Sequence, residues 1–411
     1  DDAVSTLAPL LPTKTQLGND IPRKSRGPLK IDEQLTRASL ELLLWCRHEQ
    51  GQPQLAEQAW RALASTSPES ERLLAAARTV CEAWTAAGQP DRAQALLAEL
   101  ARDSTLAPAA LVESTWIALD AGDRDAAHRS ISQAMASSPD NRDIAEACFF
   151  VAEAHFAAGD DSRALPLFQA AAKAANSPLA DKALYKAGFT ALRADEPATA
   201  SSHFAQLVNE HPSSDLAGEA MFLTGEAAFR LDQFAAAIPW FELLLEEHPG
   251  HDVAPSCHFR LGLSLCQLER WDDAEQTLAQ LARTAPNFAN RNEAELWRGR
   301  ALAQQGKSRP AKAALQRVVS DDQGVLAARA RIALGKLSIA DGQTEEALSE
   351  FLKVAVLYAH DDEVAEALVL AGQCLSALGQ TDQAAARYDE VLKRYGQTPS
   401  AGTAKKLLSA L

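Results

Sequence analysis

The sequence predicts an all-α solenoid, a superhelix of about ten helical hairpins that is closed by a C-terminal capping helix. Two observations lead to this prediction. Hydrophobic residues make up 47% of the 411 residues and aromatic residues only 6%, and the apolar set is rich in alanine and leucine, which favour helices over strands. In addition, a pattern of small residues recurs at intervals of 34 to 37 residues, which is typical of a repeat architecture.

An anchor residue, which is glycine in six repeats, marks the first helical segment of each repeat. Three segments that begin at Ala180, Ala217 and Ala254 align without gaps on one glycine, and towards the N-terminus other residues take the same position. Counting from this glycine in both directions indicates ten repeats. Their anchors are Leu44, Cys81, Thr115, Ala152, Gly188, Gly225, Gly262, Gly299, Gly335 and Gly372.

The second helical segment of each repeat carries an alanine twelve residues after the anchor, from Ala56 to Ala384. Four residues further stands a large apolar residue, from Trp60 to Tyr388. Because small side chains let two helix backbones approach closely, we interpret the anchor and the alanine as the crossing point of a hairpin. The large residue lies one turn further on the same face and fills the gap beside the crossing. A turn with glycine or aspartate joins the two helices, and prolines such as Pro249 end several repeats.

This pattern resembles the tetratricopeptide repeat family, whose repeat has a small residue at its eighth position, alanine at its twentieth, a bulky residue at its twenty-fourth and proline near its end. The resemblance covers about residues 35–396. It implies stacked hairpins whose first helices line a concave face that binds partner proteins. Most steps here are 36 or 37 residues rather than the usual 34. This longer step resembles a subgroup from the bacterial cell envelope, which includes the Tol–Pal-associated TolA-binding protein and outer-membrane-assembly lipoproteins. A periplasmic or envelope location is thereby implied, with the cytoplasm as the alternative.

Three regions follow from this interpretation. Residues 1–31 contain prolines and basic residues without apolar periodicity, which predicts a flexible arm or linker. Residues 32–399 form the array of about ten repeats. Residues 400–411 have a pattern typical of one short helix, and the resemblance to the family implies that this helix caps the array.

Candidate binding residues lie at positions two, five, nine and twelve of the first helices, which share one helical face. Together the apolar residues at these positions form a central stripe, and we expect Phe222 and Phe259 to be partly exposed. Packing between repeats and binding of a partner are both compatible with the stripe. The stripe consists of Phe149, Phe156, Tyr185, Phe189, Phe222, Phe229, Phe259 and Leu263.

Two acidic residues, Glu153 and Glu226, stand at position nine and border this stripe. An apolar strip with acidic borders favours a basic amphipathic helix or peptide of a partner protein. The family members that capture chaperone tails use asparagine at position nine, and no repeat here has it. The resemblance therefore gives no support to chaperone-tail binding.

Other classes of function find little support in the sequence. The net charge of −15 disfavours nucleic acid, and no apolar stretch reaches the length of a membrane span. No catalytic or nucleotide-binding motif is present. His248, His251, Cys257 and His258 lie close in sequence, but His211 repeats the position of His248, so we interpret them as linker residues and not as a zinc site.

We therefore predict a non-catalytic scaffold for protein interaction, without cofactor or metal. The alternative is a regulatory or substrate-recruiting region of a larger polypeptide whose catalytic part lies outside this chain. The start at Asp1 without methionine keeps this alternative open.

Overall fold

The computed structural model describes residues 33–138, 140–174 and 177–411. The predicted arm, residues 1–31, lies outside them. Within the described residues the chain forms 21 α-helices and no strand, so the predicted fold class, an all-α repeat solenoid, is confirmed. The chain divides into two compact units between Glu196 and Pro197.

The first unit contains nine helices, α1 to α9, and each packs against the next one along the chain. Helices α1 to α8 form four consecutive hairpins, and α9 carries the fifth anchor, Gly188. The anchors of these hairpins lie on odd-numbered helices and their alanines on even-numbered helices. The helices are α1 Glu33–Glu49, α2 Pro53–Ala64, α3 Ser70–Ala86, α4 Pro90–Leu100, α5 Ala107–Asp120, α6 Arg124–Ser137, α7 Arg142–Ala157, α8 Asp161–Lys173 and α9 Ala180–Arg193.

The second unit contains twelve helices, α10 to α21, which also pack in chain order. After α10, five hairpins run from α11 to α20, and α21 follows them. The helices are α10 Pro197–Glu210, α11 Ala217–Arg230, α12 Phe234–Glu247, α13 Ala254–Gln267, α14 Trp271–Thr284, α15 Arg291–Gln304, α16 Ser308–Asp321, α17 Val325–Ala340, α18 Thr344–Leu357, α19 Asp361–Ala377, α20 Thr381–Arg394 and α21 Ser400–Leu408.

The crossing point of each hairpin is as tight as the repeat pattern predicts. All ten alanines of the second helices, from Ala56 to Ala384, have no exposed surface, and the bulky residues that follow them are at most 3% exposed. A methyl group added at Gly262 would lie 2.5 Å from the side chain of Leu278. The bulky residue therefore occupies the space that the anchor glycine leaves open. A bulky side chain at the one position requires the absence of a side chain at the other.

The turn that follows the first helix of each repeat places one residue in the left-handed region. Seven of the ten turns use glycine there, with φ between 64° and 79°, as at Gly306. Asp195, Asp232 and Glu269 adopt the same conformation with φ between 55° and 60°. The amide of Lys307 donates to the carbonyl of Leu302 across such a turn at 2.9 Å, so the left-handed residue closes the end of the first helix.

The last helix, α21, packs against α19 and α20. Its Ala404 is fully buried in a cluster that also contains Tyr388 and Val391 of α20. The helix thus covers apolar surface that the last hairpin, formed by α19 and α20, would otherwise leave in contact with water.

We expect Ala237→Leu to destabilise the protein by about 1–3 kcal/mol, because a larger side chain overpacks the helix crossing. Ala236 is the preceding residue of α12 and is exposed, so Ala236→Leu is the matched control and should leave the melting temperature nearly unchanged. Thermal melts followed by circular dichroism compare the two variants. Equal melting temperatures would show that the assignment of the crossing position is wrong.

We expect Gly306→Ala to cost about 1–2 kcal/mol, because an L-residue is strained in the left-handed region. Gly402 lies exposed within α21, and an added methyl group there would meet no atom within 4 Å. Gly402→Ala should therefore stabilise the helix by up to about 1 kcal/mol, through helix propensity alone. Urea titrations of both variants measure these changes, and a loss of stability of the same size in both would contradict the conformational explanation.

Candidate partner-binding surface

Four residues of the predicted stripe lie in the first unit, on α7 and α9. Phe149 is buried, with 8% of its surface exposed, and its ring centroid is 5.7 Å from that of Phe168. Phe156 is half-buried and lies 6.3 Å from the same ring. Tyr185 and Phe189, both half-buried, are 4.9 Å apart. Because Phe168 is the bulky residue of the second helix, Phe149 and Phe156 pack inside their own hairpin.

The other four stripe residues lie in the second unit, on α11 and α13; they are Phe222, Phe229, Phe259 and Leu263. Phe222 is half-buried, as expected, with its ring 6.0 Å from Phe241. The prediction that Phe259 is partly exposed is wrong, because only 4% of its surface is exposed. The ring of Phe288, from the linker between α14 and α15, covers it, with the two centroids 5.6 Å apart. Leu263 is 7% exposed. Packing therefore accounts for the most buried members of the stripe.

Position six of the first helices is accessible in every repeat, whereas position five is buried in most of them. A step of one residue turns a side chain by about 100° around a helix. Position five is buried in six of the ten repeats, while position six is exposed or half-buried in all ten. The residues at position six are Leu42, Thr79, Glu113, Phe150, Lys186, Leu223, Arg260, Trp297, Ala333 and Leu370.

An accessible aromatic pair follows from this geometry in the first unit. Phe150 is 41% exposed, and its ring meets the half-buried ring of Trp116 edge to face at 5.3 Å. Phe149 supports Phe150 from beneath, with the two centroids 5.5 Å apart. The stripe prediction missed Phe150. The sequence carried one signal for Phe150, namely an aromatic residue directly after position five. A position that only faces water does not need an aromatic side chain.

The two glutamates at position nine form ion pairs inside the protein. Glu153 lies 3.1 Å from Nζ of Lys186. Glu226 pairs with Arg260: its Oε2 lies 2.7 Å from Nε, and its Oε1 accepts a hydrogen bond from Nη2 at 3.0 Å. Each cation comes from position six of the next repeat and also lies over the ring at position twelve. Lys186 is 5.2 Å from the centroid of Phe156, and Arg260 is 4.8 Å from that of Phe229.

These pairs have a consequence for the expected partner. A carboxylate that is already matched by a neighbouring cation offers less attraction to a basic peptide. Glu153 and Glu226 therefore fix a cation above an aromatic ring, and they do not form free acidic borders. The reason to expect a basic partner at these two residues is correspondingly weaker.

The histidines and cysteine around residue 250 show no arrangement for a metal. No group of three or more histidine, cysteine, aspartate or glutamate side chains in the described ranges could hold a metal ion. Cys257 is fully buried, and its Sγ lies 3.2 Å from the carbonyl oxygen of Phe241. Burial raises the pKa of this thiol to about 12. The thiol therefore stays protonated and packs inside the second unit. In the same described ranges, no helix is both long and apolar enough to span a membrane.

A pair of histidines lies at the contact between α6 and α7. The rings of His128 and His155 are 5.0 Å apart and perpendicular, and His155 is only 2% exposed. Burial lowers the pKa of both imidazoles, and for His155 the neighbouring His128 lowers it further. The charged groups that influence the pair are Arg124, Asp125, Asp160 and Arg163.

Comparison with protein-family models gives matches over most of the array. A model described as a tetratricopeptide repeat-like domain matches residues 178–325. Models described as tetratricopeptide repeats match residues 116–180 and 296–365 and residues 366–398. The chain belongs to the tetratricopeptide repeat family. Repeats of this family typically act as non-catalytic scaffolds, which supports a general role in protein–protein interaction.

Several solved structures resemble the chain. The type IV pilus biogenesis factor PilW is 19% identical, with a TM-score of 0.42 over 54% of this chain and 97% of its own. MamA from Desulfovibrio magneticus RS-1 is 20% identical, with a TM-score of 0.38 over 43% and 94%. PilF from Pseudomonas aeruginosa is 14% identical, with a TM-score of 0.41 over 55% and 96%. A search of curated proteins gives no match.

We expect the stability of the tetratricopeptide array to fall as the pH drops below about 6.5, the pKa of an unfolded histidine. The lowered pKa values in the folded state mean that the unfolded chain binds protons more readily, so acid favours unfolding. Each group contributes at most about 1.4 kcal/mol per pH unit between its two pKa values. The double variant His128→Gln, His155→Gln should lose less stability between neutral and acid pH in urea titrations. A loss equal to that of the wild type would contradict a role for this pair.

Proposed function

We propose that this chain is a non-catalytic scaffold that binds a peptide or helix of a partner protein on the face lined by the first helices. The observation that supports this proposal most directly is the exposed Phe150 beside the half-buried Trp116. Exposed aromatic rings on a rigid helix lose little entropy on binding, and such residues dominate the energy of protein interfaces. Two adjacent rings on this face are therefore well suited to receive an apolar side chain.

The stripe residues have two roles in this proposal. The half-buried rings of Phe156, Tyr185, Phe189, Phe222 and Phe229 form contact surface within their own units. Phe149, Phe259 and Leu263 lie beneath and hold the accessible side chains in place. The ion pairs of Glu153 and Glu226 keep Lys186 and Arg260 over aromatic rings, which leaves mainly apolar surface and cation faces to a partner.

The location of the protein stays a prediction from the repeat length. Steps of 36 or 37 residues favour the periplasm or the cell envelope, with the cytoplasm as the alternative. Fractionation of the source cells, followed by immunoblotting of the chain, distinguishes these compartments.

The central test compares Phe150→Ser with Phe149→Ser, two adjacent positions of α7. Proteins captured from a lysate of the source cells by the immobilised wild-type chain are identified and quantified by mass spectrometry. We expect Phe150→Ser to lose its specific partner, with a binding loss of about 2 kcal/mol or more, and to keep its melting temperature. Phe149→Ser should lower the melting temperature, because it removes a buried ring, and below that temperature it should weaken capture of the partner less than Phe150→Ser does.

The opposite pattern would contradict the proposal. If Phe150→Ser captures the same proteins in the same amounts as the wild type, the accessible aromatic pair has no part in binding. If neither variant nor the wild type captures any protein specifically, the scaffold function itself fails.

A further inference from the structure

A recess lies on the first-helix face of the second unit, between α15 and α17. It has a volume of about 400 Å³. Its walls are formed by Trp271 at the start of α14, by Trp297 of α15 and by aliphatic side chains of α17, including Ile332. Two basic residues, Arg300 and Lys336, stand at its rim, and both occupy position nine of their repeats.

Arg300 differs from the other cations around this recess. Its side chain is half-buried and lies over the ring of Trp297, 4.8 Å from the centroid. In the described part of the chain, no carboxylate forms an ion pair with it and no acceptor receives a hydrogen bond from it. By contrast, Arg298 on the same helix is paired with Glu275 at 2.9 Å. A half-buried guanidinium without an acceptor leaves hydrogen-bonding capacity unused.

The charges around Arg300 leave one positive charge unmatched. Lys336 lies 2.7 Å from Glu366, and Arg329 lies 2.7 Å from Glu363. These four groups cancel, so the guanidinium of Arg300 is the net charge of the recess. Burial lowers its pKa, although the carboxylate of Glu366 acts in the opposite direction. An added anion would offset the cost of holding this cation away from water.

We propose that this recess binds an aspartate or glutamate side chain in an extended segment of a partner protein, with a neighbouring apolar residue of that segment packed against Trp271 and Trp297. The inference rests on the proposed function, since it assigns a second contact site and a chemical class of partner to the same face. It adds an acidic partner segment, which is the opposite of the charge expected from Glu153 and Glu226.

The chemistry of the recess favours this occupant. A guanidinium presents a planar fork of donors that matches both oxygens of a carboxylate. One unmatched positive charge balances the single negative charge of a carboxylate, whereas a phosphate dianion calls for more than one. The tryptophan rings provide apolar surface beside the charge, which suits a peptide with mixed character and gives little to a free inorganic anion.

The test uses the immobilised full chain and a displayed library of short random peptides, panned in parallel against the wild type and Arg300→Gln. We expect the peptides that need Arg300 to share an acidic residue next to an apolar one. The best of these is then synthesised with blocked ends, both as selected and with its acid replaced by the amide. Fluorescence anisotropy should show that either Arg300→Gln or the amide weakens binding by about tenfold. The two changes together should weaken it little further, because they remove the same contact.

Three variants and one further peptide sharpen the result. Arg309→Gln removes the same charge from an exposed position on α16 that does not line the recess, and it should bind the peptide as the wild type does. Arg300→Lys should bind with intermediate affinity, because it keeps the charge and loses the fork. Trp297→Leu should weaken binding of the same peptide. A peptide with phosphoserine in place of the acid tests the alternative anion.

Several outcomes would overturn the proposal. These are selected peptides without acidic residues, equal binding to the wild type and Arg300→Gln, the absence of any peptide that depends on Arg300, or binding of the phosphoserine peptide alone. Loss of this site while Phe150→Ser still abolishes partner capture would leave the scaffold function intact. In the reverse result, peptides bind at Arg300 but no specific partner is captured. That result would contradict only the scaffold function proposed for Phe150 and Trp116.

Discussion

The close crossing of two helices at a small residue is the contact on which every hairpin of this protein depends. At each crossing the alanine of the second helix is fully buried, and in the second unit a bulky side chain such as Phe241 lies against the bare backbone of an anchor such as Gly225. Dispersion contacts of this kind are short-ranged, so they require backbones that approach within packing distance. Four of the five anchors of the first unit are larger than glycine, yet Cys81 still reaches the backbone of Ala93, with Sγ 3.8 Å from its carbonyl oxygen.

The structural features that recur once per repeat could be predicted from the sequence. The features that depend on how a helix is rotated, or on contacts between residues far apart in the chain, could not. Helix order, crossing points and most turns follow from local spacing. Phe150 was missed because the difference between positions five and six is a rotation of the helix, which packing decides. The turn residue Glu269 departs from the predicted pattern because it is neither glycine nor aspartate, although its φ is positive.

Electrostatic detail was similarly out of reach of the sequence. Glu226 and Arg260 are 34 residues apart, and only the stacking of successive repeats brings position nine of one beside position six of the next. The sequence showed an acidic border where the structure has an ion pair. It also showed Arg300 as one of many basic residues, and only its surroundings distinguish it from Arg298. A net charge of −15 for the whole chain therefore says little about the charge of any one recess.

The ion pairs and hydrogen bonds between neighbouring repeats also bear on how the chain folds. Many of them join residues separated by about one repeat, for example 38 positions for Arg61 and Glu99 and 30 for Lys336 and Glu366. The contact order of each unit is thus low for its length, which favours rapid folding that begins at any hairpin and spreads to its neighbours. Opening follows the same route in reverse. A hairpin at an end has one neighbour and is released first, while hairpins in the interior keep contacts on both sides.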